Sequence, residues 1–139
     1  MDEKESNYES LFHELDLILD NIPALIFYKD LHNRFLRVNK YLADAHNLTK
    51  AEMNGKSCFD LYPKEQAEHY LMDDLDIAKA GKPKLNIIEK WNTKDGERWV
   101  STSKIPILEK TLEISKILGI RKGEKRRDQS HVAYLDGDT

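Results

Sequence analysis

The chain has 139 residues, 40% of them apolar and 34% charged, with a formal net charge of -3, which bounds it to one domain and gives no electrostatic ground for nucleic-acid binding. A single cysteine, Cys58, excludes an internal disulfide and fits a reducing compartment. No apolar run approaches the roughly 20 residues of a membrane span, and the acidic first five residues do not read as a signal peptide, so this segment is expected to be cytoplasmic.

Taken in order, Tyr8, Leu11, Phe12, Leu15, Ile18, Leu19 and Ile22 recur at spacings of three and four. They predict an amphipathic helix over residues 6–21, with Ser6 and Glu9 placed as a capping box and Pro23 as its stop. Residues 24–29 and 35–39 read as the strands of a hairpin around Asp30-Leu31-His32-Asn33. Two short helices follow, at 41–47 and 50–54, the second opened by Thr49 with Glu52 three residues on and stopped by Gly55. Pro63 begins a longer helix carrying Ala67, Tyr70, Leu71, Leu75 and Ala78, closed by Gly81 with Pro83 beyond it.

Three strands are predicted next, at 85–92, 98–108 and 114–120. Lys94-Asp95-Gly96 forms the first turn, because Asp-Gly supplies the positive backbone angles of a tight hairpin. Alternation puts Leu85, Ile87, Glu89 and Trp91 on one side of the first strand. In the second strand, Trp99, Ser101, Ser103, Ile105 and Ile107 oppose Val100, Thr102 and Lys104. Both faces are mixed, so something should pack on each: helices on one, a terminal helix or a partner subunit on the other. Strand runs separated by a helical block argue an α+β fold. Beyond Ile120 the cations Arg121, Lys122, Lys125, Arg126 and Arg127 read as a solvated linker.

Several strings in this order carry a resemblance: Phe27-Tyr28-Lys29-Asp30, Arg34-Phe35-Leu36-Arg37-Val38-Asn39, Gly55-Lys56-Ser57, Asp60-Leu61-Tyr62-Pro63, Asp95-Gly96-Glu97-Arg98-Trp99 and Ile117-Leu118-Gly119-Ile120. Together they resemble the PAS domain, a sensor module of bacterial signalling proteins. The resemblance implies a five-stranded antiparallel sheet with helices on one face and a flanking N-terminal helix. The division would be a helix at 1–22, the PAS domain at 23–120 and a linker at 121–139. One departure is that Arg121-Lys122-Gly123 stands where the family commonly has Asp-Ile-Thr. At the end, residues 131–139, from His131 to Thr139, resemble the string that opens GGDEF domains, the catalytic modules of diguanylate cyclases, which make cyclic di-GMP. A sensor histidine kinase input domain and a ligand-free dimerisation module are the alternatives.

The resemblance implies a cavity between sheet and helices, with Ile26, Tyr28, Val38, Ile87, Trp91, Ser101 and Ser103 from the strands and Tyr70 and Leu75 from the long helix as its expected lining. An unidentified small molecule is its expected ligand. Cys58 falls near the register of the reactive cysteine of flavin-binding relatives, but the polar groups that hold the ring are missing around it; a half-buried structural cysteine is expected. His69 lies where haem-binding relatives take their axial histidine, yet reads as solvent-facing, so neither flavin nor haem is expected. The five histidines show no metal-ligand spacing. Asp73, Asp74 and Asp76 read as a solvated acidic face, and no catalytic motif is present, so the chain itself is not expected to be an enzyme. Leu11, Leu15, Ile18 and Ile22 are expected to pack on the outer sheet face or against a second copy, making a homodimer.

Overall fold

The computed structural model describes residues 2–93, 96–109 and 113–123. Its elements are α1 (Glu3–Asp20), β1 (Leu25–Asp30), β2 (Phe35–Val38), α2 (Lys40–Ala45), α3 (Lys50–Met53), α4 (Cys58–Leu61), α5 (Lys64–Ala80), β3 (Lys84–Thr93), β4 (Gly96–Leu108) and β5 (Ile114–Gly123). The strands form one antiparallel sheet in the order β2-β1-β5-β4-β3. The last strand in sequence is therefore the middle strand in space. Helices α2 to α5 cover one face, and the apolar core, built on Phe27, Phe35, Val38, Leu42, Met53, Ala67, Tyr70, Trp91 and Val100, lies between them and the sheet.

Local chemistry fixes the joints. Asp30 closes the β1–β2 turn by accepting from the amides of His32 and Arg34, and Asn33 takes the left-handed conformation there at φ 66°. The buried Asn39 satisfies all its side-chain groups: Nδ2 donates to the carbonyls of Leu19 and Ala24, and Oδ1 accepts from the amides of Ile26 and Leu42. It thereby pins the end of α1, the start of β1 and the start of α2 to one point. Thr49 and Glu52 make the expected capping box, and Gly81 ends α5 in the left-handed region at φ 66°.

Four features differ from expectation. Helix α1 starts earlier, at Glu3, because Asp2 caps it by accepting from the Glu5 amide. Helix α4 is an extra element, opened by its own capping box between Ser57 and Asp60. Strand β5 runs on to Gly123, which takes Arg121 out of the linker and into the sheet, paired opposite Thr102. Finally, α1 buries none of its residues. It is held by its last turns, where Asp16 pairs with Arg37 at 2.6 Å and Asp20 with Lys50 at 2.6 Å. The Lys94-Asp95 part of the turn and the segment 124–139, with most of the linker and the GGDEF-like string, lie outside the described residues.

Candidate functional site

Sheet pairing decides which side chains meet beneath the helices. Phe27 lies opposite Gly119, Lys29 opposite Ile117, Lys104 opposite Gly119 and Thr102 opposite Arg121, so these residues share the inner face. Around them stand Phe35 of β2, Leu42 of α2, Cys58 of α4, Tyr62 just after it and Tyr70 of α5. Phe27, Lys29, Phe35, Leu42, Cys58, Tyr62, Tyr70, Lys104 and Arg121 enclose a cavity of about 10 Å³. That is room for about one water-sized group.

Three of the nine lining residues are cationic and none is anionic. Lys29, Lys104 and Arg121 are only 1%, 1% and 3% exposed. Their countercharges stand behind and beside them. Asp74, equally buried, bridges Lys29 Nζ at 2.6 Å and Lys104 Nζ at 2.9 Å. Asp73 meets Lys104 at 3.0 Å and the more exposed Lys84 at 2.9 Å. The Arg121 guanidinium donates from Nε to Thr102 Oγ1 at 3.0 Å and from Nη2 to Glu89 at a long 3.5 Å. It stacks within 5.0 to 5.5 Å of the ring centres of Trp91, Tyr70 and Phe27, and Lys29 and Lys104 likewise sit over aromatic rings. Aromatic faces attract cations most strongly where water is excluded.

The electrostatics follow from this crowding. Burial by itself would lower the pKa of Lys104, but the carboxylates of Asp74 and Asp73 outweigh it and raise the pKa above its ordinary value. For Asp73 burial pushes upward, and Lys104 and Lys84 overcome it, so its pKa falls. Burial pushes the phenols of Tyr62 and Tyr70 up, against the opposing pull of Arg121, and both stay protonated. The Tyr62 hydroxyl lies 2.6 Å from His46 Nε2 and accepts from Trp91 Nε1 at 3.3 Å. Cys58 Sγ is 3.8 Å from Lys29 Nζ.

Of the residues predicted to line the cavity, Tyr70 does so, and Trp91 and Val38 are buried in the core around it. Ile87 is on the inner face, half-buried, away from the cavity. Ile26, Tyr28, Ser101 and Ser103 belong to the other face of the sheet, where Ser103 accepts from the Asn86 amide, and Leu75 is 43% exposed on α5. The inward side of β4 is instead Val100, Thr102 and Lys104. Polarity misleads there because the lysine carries its countercharge into the interior from α5. Asp74, expected in a solvated acidic face, is 2% exposed. Cys58 is fully rather than half-buried, and the His69 side chain is in solvent, 4.0 Å from Glu89.

Lys29, Lys104, Arg121 and Asp74 were not expected at the site. One signal for Asp74 was present: Ala67, Tyr70, Asp74 and Ile77 follow the three-and-four spacing of a buried helix face. No group of three or more metal-binding side chains occurs among the described residues, and no described helix is long and apolar enough to cross a membrane.

Comparison with known proteins agrees with this architecture. No curated protein matches the sequence. Among solved structures, the VqmA dimer of Vibrio cholerae superposes with a TM-score of 0.71 at 16% identity, over 81% of this chain and 52% of that one; across three VqmA structures the chain spans only 50% to 57% of the VqmA length. The PAS domain of Bordetella pertussis BvgS gives 0.67 at 20% identity over 86% and 90%. A PAS domain from Colwellia psychrerythraea gives 0.63 at 17% over 81% and 96%. These likenesses are of fold. The PAS fold family matches residues 19–120, most of the chain, with β1 to β4 whole and β5 as far as Ile120, and the protein belongs to that family.

Proposed function

We propose that this PAS sensory domain works in the cytoplasm as the input module of a diguanylate cyclase, setting the rate at which an attached GGDEF domain makes cyclic di-GMP. The observation that carries the sensing half is the place of β5. It contributes Arg121 to the cavity and is the last described element, ending at Gly123 next to the linker segment of the sequence. A change in how the core holds Arg121 would therefore act directly on the strand that leads into that linker. Support for the output comes from sequence, in the likeness of residues 131–139 to the opening of a GGDEF domain.

The working unit would be a homodimer, because two GTP-loaded domains must face each other to form one cyclic product. Two uncovered apolar surfaces serve that end. One is α1, with Leu11 and Ile18 exposed. The other is the outer sheet face, which carries the half-buried Tyr28, Ile105, Ile107, Leu118 and Ile120. VqmA, similar in fold, is described as a dimer. Signalling is then a shift between two dimer arrangements, which requires the core to favour one of them when its contents change. A sensor histidine kinase output is the alternative; a protein of that kind from V. cholerae superposes with a TM-score of 0.59 at 15% identity.

The test is a purified full-length protein supplied with GTP or ATP. Cyclic di-GMP formation is the expected result. Incorporation of phosphate from ATP into a histidine, with no cyclic product from GTP, would replace this reading with the kinase.

A further inference from the structure

We infer that Arg121 is a ligand built into the chain: its guanidinium fills an aromatic cation site in the core, and the free molecules that suit the same site are small guanidinium compounds. This deepens the sensory reading above and rests on it in one respect, since the core content whose change would bias the dimer is then the protein's own side chain.

Three rings from three elements make the site. The guanidinium carbon of Arg121 lies 5.0 Å from the ring centre of Trp91 on β3, 5.3 Å from that of Tyr70 on α5 and 5.5 Å from that of Phe27 on β1. Enclosure by several aromatic faces, away from water, is how proteins recognise free organic cations such as quaternary ammonium groups. Each ring is also placed by a contact that does not involve the arginine. Trp91 Nε1 donates to the Tyr62 hydroxyl at 3.3 Å, the Tyr70 hydroxyl accepts from Gln66 Nε2 at 2.8 Å, and the Phe27 ring lies against Gly119, where a Cβ would collide with it. The cage is therefore set by its own supports, as a binding site is.

The rings do more to hold this cation than a counter-ion does. A buried arginine is most strongly held by a carboxylate that takes two parallel hydrogen bonds from it. Among the described residues, the ion pair of Arg121 is with Glu89 at a long 3.5 Å, and that carboxylate side chain is 18% exposed, while Nε donates to the neutral Thr102 hydroxyl at 3.0 Å. The space left beside the guanidinium is about 10 Å³, enough for one water-sized group, so no second ligand has room while Arg121 is in place. A tethered group also competes at the high local concentration that its attachment gives it. The wild-type cage is closed to soluble cations for both reasons, and opening it means removing the guanidinium.

The experiment empties the cage in the 139-residue chain and refills it. Arg121→Ala removes what N-ethylguanidinium can supply, and Arg121→Val, whose side chain suits a strand better and keeps the variant foldable, leaves the shorter space of N-methylguanidinium. Each variant is melted with either chloride salt, against sodium chloride at equal ionic strength. At about 50 mM the matched compound is expected to raise the melting temperature by roughly 2–5 °C and to level off with concentration. The ethyl compound should favour the alanine variant, the methyl compound the valine variant, and wild type should gain nothing. N-ethylurea has the shape of N-ethylguanidinium without its charge, and should bind the alanine variant roughly tenfold more weakly or worse. Equal rescue by the urea, a rise of the same size in wild type, or no saturable rise in either variant overturns the inference. Because the readout is binding to this chain and not cyclic di-GMP, such a result leaves the output reading to stand or fall on its own assay.

Discussion

At Gly119 a side chain is missing because an aromatic ring needs the space. A Cβ built there would lie 2.0 to 2.6 Å from atoms of the Phe27 ring on the neighbouring strand, well inside van der Waals contact, so the glycine in mid-strand marks a close approach. Gly119→Ala should destabilise the fold by about 1–3 kcal/mol or more. A second change, Phe27→Leu, should recover part of that loss in urea unfolding, since it removes the ring that clashes. Full additivity of the two changes would refute the contact as the cause.

Asp74 has the opposite problem, because it holds two buried lysines. Asp74→Asn leaves Lys29 without a carboxylate partner among the described residues and Lys104 with Asp73 alone, and should cost roughly 3–5 kcal/mol. Replacing Lys29 with Met in the same chain should relieve part of that cost, since it removes the stranded charge.

The same ionic groups give the domain a two-sided pH profile. The carboxyls of Asp20, Asp30 and Asp73 all feel burial pushing their pKa upward, and in each case hydrogen bonds and nearby cations overcome it and bring the pKa below its ordinary value of 3.8. Their stabilisation is complete above that value and is lost as pH falls through the lowered native values. Lys104 is shifted the other way, so its contribution is complete below the ordinary 10.5 and is lost only as pH rises through a still higher native value. Thermal melts across pH should therefore show a broad plateau with an acid limb. A domain losing stability steadily between pH 5 and 8 would contradict this assignment.

At the scale of elements, α1 stands apart from the rest. Its last turns are fixed by Asn39, Arg37 and Lys50, yet Tyr8, Leu11, Phe12 and Ile18 are all about half exposed or more. A helix with such a stripe is either waiting for a partner or frays in isolation. Leu11→Asp with Ile18→Asp should change the unfolding free energy of a monomer by no more than about 0.5 kcal/mol, while shifting sedimentation from dimer to monomer. Unchanged sedimentation would move the dimer contact to the outer sheet face.

The elements themselves were largely legible in the sequence. Stops at Pro23, Gly55 and Gly81, the Thr49 cap and the alternation of the late strands each act through nearest neighbours in the chain, and each falls within a few residues of the structural boundary. Helix α4 was readable too, through Ser57 and Asp60, but four residues give no periodicity to notice. What the sequence hid was the sign of a face. Whether Ser101 or Thr102 points inward depends on α5 delivering Asp73 and Asp74 beneath Lys104, an arrangement that hydropathy counts against. Arg121 was hidden in the same way: seen beside Lys122 and Lys125 it looks like the start of a solvated tract, and only pairing opposite Thr102 and Leu25 turns it inward.

Across the whole molecule, the strand order has a consequence for how the protein is made. The sheet consists of two hairpins, β1 with β2 and β3 with β4, that do not pair with each other. β5 joins them, and it is the last described element to emerge from the ribosome. Until then the nascent chain holds two separate hairpins, each too small to be stable by itself. Folding must wait for β5 and then close contacts across roughly ninety residues, from Phe27 to Gly119, a long-range topology that slows the search. A chain released after Glu113 should therefore remain unfolded and protease-sensitive, and a separately supplied peptide covering residues 114–123 should restore the sheet by inserting between the waiting hairpins.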